Sequence, residues 1–549
     1  MLLAAPKALQ AVIAAYGDYY TYKLARQIYG RTSIQAWLTL VLTVTSAWQW
    51  FCSTRTFSNC LETSLTVAAL YNWPFHWALA RDEVGVQVDE KALRVRQTDG
   101  SARGETDETT RLRRAILCAA FAVILRPTNA IIWIVLTLMT FGRGMWHLRM
   151  HREITAFLKE GISCGGAVLV LSILVDRIFY GVWTFPPWNF LKFNVFQSIA
   201  VFYGNNNRHY YLTQGYPLLL TGALIWAGMG LYEVVTSGES LKSLTIQSNL
   251  TLHRLAVLSL VLPAALSVLS HKEVRFIYPI LPALHILAAS PFARVIGFAP
   301  SSTYVGNIVL GEAGRRGWLI ITVYLIVNMM LAGYTSLVHG SGVIAATNYL
   351  RQEFEIHYLH NSDTLKTNLT FAAFMPCHSI PWRSHLHYPP SSQEAGISGW
   401  ALTCEPPINL DPEAKLTYVD EADIFYNEPV QWIKRRMSRD ILPALKPKPG
   451  IFAKERANTL WTNSQKPYEI WLNEGEGGDN EARGKRTWPG YVLFFEQLEP
   501  VMKRVLEGSA YAECARFFNS HAHDDWRRKG DVVVWCLHPE RALRHLGDG

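Results

Sequence analysis

Apolar runs of roughly 15–22 residues, about the length that crosses a hydrocarbon core of about 30 Å, recur from the start of the chain to about residue 340 and then stop. They fall near 2–16, 35–52, 62–80, 113–127, 129–142, 161–178, 211–231, 255–270, 276–293 and 317–337. A chain patterned this way is expected to fold as a mainly α, polytopic transmembrane helical bundle over 1–340. The two short runs around Arg126-Pro127-Thr128 form either a hairpin or one kinked helix. Residues 82–110 balance acids against bases without apolar periodicity and read as a cytosolic linker loop. Over 341–549, short β-like runs (Leu369 to Phe374, Tyr491 to Phe495, Val532 to Trp535) alternate with helix-like stretches at 497–507 and 509–518. That pattern predicts a smaller α/β domain, with 473–485 as a loop.

Composition fits two unlike halves averaged together: 50% of residues are hydrophobic and 17% charged, and the mean hydropathy is only +0.08. The 19 Trp and 24 Tyr suit the aromatic belts of membrane interfaces. A net charge of +8 is what cationic cytoplasmic loops produce. With no basic stripe interleaved with aromatics and no Gly-rich phosphate loop, nucleic acid is not an expected partner.

Two signals orient the chain. Asn249-Leu250-Thr251 and Asn368-Leu369-Thr370 have the form of glycosylation acceptors, and only Asn368 lies in the long tail. A lumenal tail then places about 17–33, 81–112, 143–160, 233–254 and 294–316 in the cytosol. Those segments hold Lys23, Arg26, Arg31, Arg111, Arg113, Arg114, Arg143, Arg149, Arg152, Arg315 and Arg316, as the positive-inside bias requires. The same alternation gathers Arg55, Arg126, the 179–210 segment and residues 271–276 on the lumenal side.

The hexapeptide His271-Lys272-Glu273-Val274-Arg275-Phe276 carries four ionisable groups between two apolar runs. Each Lys, Arg or acid at a helix centre costs about 2.5–3.5 kcal/mol to insert, so the set belongs at a helix end or in a polar cavity. An ordinary interfacial turn is the plainer reading; Lys and Arg bracketing a carboxylate also suit a phosphate diester. Between 176 and 217, aromatics mix with Asn189, Lys192, His209, Tyr210 and Gln214. That mixture suits either an aromatic-belt anchor or sugar recognition by stacking and amide hydrogen bonds. Arg126, directly before Pro127, either faces such a cavity or snorkels, and Arg55 among Ser53, Thr54, Thr56 and Ser58 has the same two readings.

Cys52, Cys60, Cys118 and Cys164 lie in or beside apolar runs and read as small buried side chains. Cys377, Cys404, Cys514 and Cys536 lie in the tail, where an oxidising lumen would allow Cys377–Cys404 and then Cys514–Cys536 to pair. Neither Cys377, His378, His385 and His387 nor His521, His523, Asp524 and Asp525 has zinc-site spacing, and no metal is expected. Asp420-Glu421-Ala422-Asp423 lacks an accompanying nucleotide-binding loop and reads as a local structural motif.

His271 to Phe276 resembles the His-Lys-Glu-x-Arg-Phe signature of the dolichol-phosphate-mannose-dependent mannosyltransferases of glycosyltransferase family 22, which have the GT-C membrane fold. Further stretches resemble the branch of that family acting on glycosylphosphatidylinositol (GPI) precursors. They are Thr54 to Thr63, Leu125 to Thr128, Asp176 to Gly181, Asn189 to Asn194, Thr213 to Pro217, Met375 to Ser379 and Asp420 to Tyr426. The resemblance implies transfer of a third mannose, α1,2-linked, from dolichyl phosphate mannose to the GPI-anchor precursor in the endoplasmic reticulum (ER) lumen, within ER membrane lipids. The donor is a phosphodiester, so no cofactor or metal is implied. Inversion needs a carboxylate base and cations for the departing lipid phosphate. Lys272 and Arg275, assisted by His271, oriented by Glu273 and joined by Arg126, are the expected phosphate contacts. Asn189, Lys192, His209, Tyr210 and Gln214 are the expected sugar or acceptor contacts.

The family's first span and acidic first lumenal loop align ahead of Met1. The catalytic carboxylate is therefore expected upstream of Met1, and the chain as written is expected to be inactive. Alternatives are a lumenal α-mannosyltransferase of N-glycan precursor assembly and a non-catalytic lipid-binding paralogue. A transporter would call for repeated halves, which are absent from the sequence.

Overall fold

The computed structural model describes residues 3–79, 102–146, 151–196, 201–202, 204–236, 244–297, 315–359, 368–390, 395–408, 410–438 and 485–537. The linker read at 82–110 lies outside the described residues as far as Ser101, and the 473–485 loop does so except for Lys485. The chain divides into two compact units, Leu3–Ser336 and Leu337–Gly549.

Among the described residues, every regular element of the first unit is a helix, as a chain in lipid requires when water is absent to satisfy its backbone. In order come α1 (Ala4–Tyr29), α2 (Ile34–Val44), α3 (Ala47–Cys52), α4 (Ser58–Asn72), α5 (Ala102–Leu125), α6 (Ala130–Trp146), α7 (His151–Tyr180), α8 (Pro186–Leu191), α9 (Tyr211–Thr236), α10 (Ile246–Leu266), α11 (Val274–Val295) and α12 (Arg315–Gly333). Among the described residues, five helices are long and apolar enough to cross a membrane: α7, α9, α10, α11 and the one beginning at Arg315.

Several boundaries differ from the apolar runs, for local reasons. The run at 35–52 is cut at Thr45 and Ser46, where the Ser46 hydroxyl accepts from the Gln49 N–H at 3.4 Å and starts a separate helix, α3. The run at 2–16 continues as one helix to Tyr29, because Gly17, Thr21, Leu24 and Ala25 keep a buried face beyond the apolar stretch. Pro127 separates α5 from α6, leaving a 3₁₀ turn over Pro127–Asn129.

α11 is the most enclosed helix, with every residue from Leu281 to Ala293 buried. α9 passes so close that a Cβ on Gly230 would clash with the Leu287 carbonyl oxygen. α7, by contrast, exposes Ile162, Leu171, Leu174 and Ile178, the surface a lipid-facing helix presents.

The second unit holds a five-stranded sheet of order β2-β1-β3-β5-β4. Its strands are β1 (Leu369–Phe374), β2 (Ile397–Ala401), β3 (Tyr491–Phe495), β4 (Ala512–Ser520) and β5 (Gly530–Cys536). β1 runs parallel to β2 and β3; β5 is antiparallel to β3 and β4. Both faces are covered, so β3 reads as an unbroken apolar run. Phe374, Val492, Phe494 and Val533 pack with Phe425, Trp432 and Met502, and Phe371, Leu493, Phe495 and Val534 with Leu350 and Phe354.

The helix expected at 509–518 is instead strand β4. Its Ala, Glu and Arg favour helix locally, but pairing with β5 overrides that preference. A disulfide joins Cys514 to Cys536 across these strands, at a register shift between Glu513 and Ala515. A second joins Cys377 to Cys404, in the loops that follow β1 and β2.

Candidate functional site

The hexapeptide spans the junction of the α10–α11 turn with α11: His271, Lys272 and Glu273 lie in the turn, and Val274, Arg275 and Phe276 open α11 as a 3₁₀ turn. Glu273 is its centre. Its carboxylate meets His271 Nε2 at 3.0 Å and accepts from Arg275 Nη2 at 2.7 Å, with Arg275 Nε 2.6 Å from its other oxygen. Burial pushes the Glu273 carboxyl up, but His271 and Arg275 outweigh that and hold it below the usual carboxylate range.

Lys272 points elsewhere. Its ammonium is buried and donates to the Asn206 carbonyl at 2.9 Å and the Ser270 carbonyl at 3.5 Å. Its backbone N–H donates to Asn206 Oδ1 at 2.9 Å, and the Asn206 N–H to the Ser270 carbonyl at 3.0 Å. Gly204, at φ 131°, makes the bend that brings this loop alongside His271. Burial, with Arg208 nearby, pushes the ammonium below its ordinary range.

Other segments pack nearby. The start of α9 and α4 lie against Val274–Ile280, and α8 lies against Pro127–Asn129. The Arg126 guanidinium stands 4.9 Å from the Phe276 ring centroid, and that of Arg275 stands 5.9 Å from the same ring and 5.4 Å from Phe57. His271 meets Phe276 edge-on at 5.8 Å. Arg126 lies 4.0 Å from Glu62, which is buried in α4. Glu62 accepts from Asn59 Nδ2 at 3.1 Å and from Asn129 Nδ2 at 2.9 Å. Asn129 is in turn fixed by Thr66 and by the Trp133 indole N–H. The Tyr211 hydroxyl and Arg126 Nε are buried without a hydrogen-bond partner among the described residues. Two cations, an imidazole and a phenol thus share a partly open apolar-walled site, with Arg275 36% and Arg126 17% exposed.

Of the residues singled out in the sequence, His271, Glu273, Arg275 and Arg126 come together. The rest are more peripheral. Asn189 donates to Thr184 Oγ1 at 3.2 Å. Lys192 is exposed, its ammonium 5.8 Å from the Phe193 ring. Tyr210 packs edge-on against Tyr211 at 5.5 Å. His209 and Gln214 are exposed. Arg55 donates to the Phe51 carbonyl at 2.6 Å.

Sequence reasoning passed over Glu62, Asn129, Asn206 and Tyr211. Glu62 carried a usable signal, being an acid inside an apolar run. Tyr211 carried none beyond its neighbour.

The tail clusters resolve into structural parts. Asp420 caps a helix at Glu421–Asn427 by accepting from the Asp423 N–H at 2.6 Å. Asp525 pairs with Arg527 and Arg528. Cys377, His378 and Cys404 approach one another, but both sulfurs are spent in the disulfide. Asn368 is exposed, its Oδ1 accepting from the Gly396 N–H at 2.9 Å.

Fold and site together define a multi-span membrane protein with a cluster of basic side chains beside the turn that leads into α11. The profile of the Alg9-like mannosyltransferase family matches residues 1–387, and the chain belongs to that family. GPI mannosyltransferase 3 of Aspergillus fumigatus is 45% identical over 98% of this chain, and that of Emericella nidulans 37% identical over 98%. The chain spans 66% and 65% of those relatives' lengths. Among solved structures, ArnT from Cupriavidus metallidurans bound to undecaprenyl phosphate gives a TM-score of 0.44 at 12% identity, covering 97% of this chain and 84% of that one.

Proposed function

We propose that this chain belongs to an enzyme that transfers mannose from dolichyl phosphate mannose to a GPI-anchor precursor, adding the third mannose in α1,2 linkage on the lumenal face of the ER membrane. The observation that carries the reading is the convergence of Arg126 and Arg275, from segments far apart in sequence, on the single Phe276 ring. Two guanidiniums at the end of a membrane bundle suit a phosphodiester whose lipid tail stays in the bilayer. As the sugar–phosphate bond breaks, charge grows on the departing phosphate, and fixed cations stabilise it. Glu273 aims Arg275, and His271 completes the turn. Lys272 acts one step back, by docking the Gly204–Asn207 loop. Glu273 and Glu62 are both committed to structural partners, so neither is assigned as the base for the acceptor hydroxyl. The GPI acceptor follows the names of the relatives, whereas the third-mannose position, the α1,2 linkage and the donor follow the resemblance of the sequence motifs.

The test is expression of the complete gene in cells that lack third-mannose transfer, with GPI precursors read by mass. Conversion of the two-mannose species to the three-mannose species supports the reading, as does its loss with Arg275→Ala. Persistence of the two-mannose species with the protein present in membranes overturns it, and so does mannose appearing on an N-glycan precursor instead.

A further inference from the structure

We propose that Glu62 is a positioning residue for Arg126, setting that guanidinium against the hexapeptide while leaving it free to donate to a ligand; this rests on the phosphate reading above. An acid buried within a helix of this bundle is costly and calls for a reason. Glu62 is 2% exposed, yet it does not form a close bidentate pair with the nearest cation. Instead, Asn59 donates to one carboxylate oxygen and Asn129 to the other. Arg126 is left 4.0 Å away, within electrostatic reach but beyond hydrogen-bond distance.

The Asn129 link ties Glu62 to the turn that follows Arg126, because the Asn129 N–H also donates to the Arg126 carbonyl at 2.9 Å. One carboxylate therefore fixes the backbone of the Arg126 break and supplies the countercharge for its side chain. Arg126 Nε stays buried with no hydrogen-bond partner among the described residues. A tight ion pair would spend those donors, whereas a countercharge held at arm's length keeps them for a phosphoryl oxygen. Arg275 differs: its Nη2 donates to Glu273 at 2.7 Å, its Nε lies 2.6 Å from the same carboxylate without forming a hydrogen bond, and it is more exposed. Of the two arginines, Arg126 is thus the deeper and the one with no hydrogen bond to its carboxylate.

The experiment is a double-mutant cycle in membranes bearing the complete gene product, with apparent KM for dolichyl phosphate mannose and kcat read separately. Glu62→Gln removes the charge and replaces one acceptor oxygen by an amide. The expected result is a donor KM raised about tenfold with a smaller change in kcat, and less than about a twofold further rise when Glu62→Gln is added to Arg126→Ala. Multiplying effects, or an unchanged donor KM in Glu62→Gln, overturn the proposal. If Glu62→Gln fails to accumulate, Glu62→Asp carries the test: it keeps the charge, and its smaller KM rise must likewise vanish in the Arg126→Ala background. An Arg126→Ala variant with normal donor KM would sink the phosphate reading itself and this inference with it. Additive effects with a raised Arg126→Ala KM would sink only the role of Glu62.

Discussion

The Lys272 ammonium rests on the backbone carbonyl of Asn206, 2.9 Å away, while the Asn206 side chain accepts from the Lys272 backbone N–H at the same distance. This reciprocal clasp ties the 204–207 loop to the hexapeptide and draws the lysine out of the open site. Lys272→Met keeps the apolar stem and removes the donor to the Asn206 carbonyl, while the Ser270 carbonyl keeps the Asn206 N–H. The expected loss is about 1–3 kcal/mol of stability, with a donor KM change smaller than that of Arg275→Ala. Thermal denaturation in detergent and donor titration measure the two. A KM rise equal to that of Arg275→Ala at unchanged stability would return Lys272 to the phosphate.

The tail carries a topological reporter. Asn368 is exposed at the start of β1, whereas Asn249 lies within α10 and donates to the Leu244 carbonyl at 3.3 Å. With a lumenal tail, endoglycosidase treatment should shift the gel mobility of the chain, and Asn368→Gln should abolish the shift while Asn249→Gln leaves it. An unshifted wild-type chain made in ER membranes would argue against the lumenal placement.

What the sequence revealed followed the physical reach of each signal. Hydropathy marks helices because insertion energies act residue by residue, so α11 was legible almost to its ends, whereas α10 begins at Ile246, well before the apolar run at 255–270, where polar residues such as Gln247 and Asn249 hide its first turns. Strands β1 and β3 were legible because their apolar runs are short and unbroken. Strand β4 was not, since its own residues favour helix and its conformation is set by pairing with Val533 and Val534 of the next strand, outside any local window. At the site, the charge density of His271 to Arg275 gave it away, and the Pro127 break pointed to Arg126. Which of the cations turns inward was not readable: Lys272 and Arg275 are three residues apart, and only the position of Asn206 decides between them.

The tail disulfides have a direct chemical check. Cys52, Cys60, Cys118 and Cys164 are free thiols, and the other four cysteines are paired. Alkylation of the denatured, unreduced chain should label only the first four, as read by peptide mass. Replacing Cys514 and Cys536 together by Ser opens a bridge between residues 22 apart in sequence. A loop of that size is worth roughly 3 kcal/mol, and the thermal midpoint of the tail should fall accordingly. Labelling of Cys514 before reduction would contradict the pairing.

Glu421 gives the tail a pH signature. Its carboxylate accepts from the Thr403 N–H at 2.9 Å and hydroxyl at 2.8 Å and stands 2.9 Å from Arg486. That guanidinium in turn lies over the Trp400 and Trp432 rings at 4.6 and 5.5 Å. Burial pushes the carboxyl up, but Thr403 and Arg486 outweigh it, leaving the folded value below the ordinary 4.5. A depressed carboxyl contributes stability that is present above 4.5 and lost as pH falls through the folded value. The difference in thermal midpoint between wild type and Glu421→Gln, followed by tryptophan fluorescence of the whole chain, should therefore hold steady from neutral pH down to about 5 and shrink below 4.5. Asp525 and Glu499 are also held low, but both proteins share them, so they cancel in the difference. A gap of constant size at every pH would mean that Glu421 acts through its shape and not its charge.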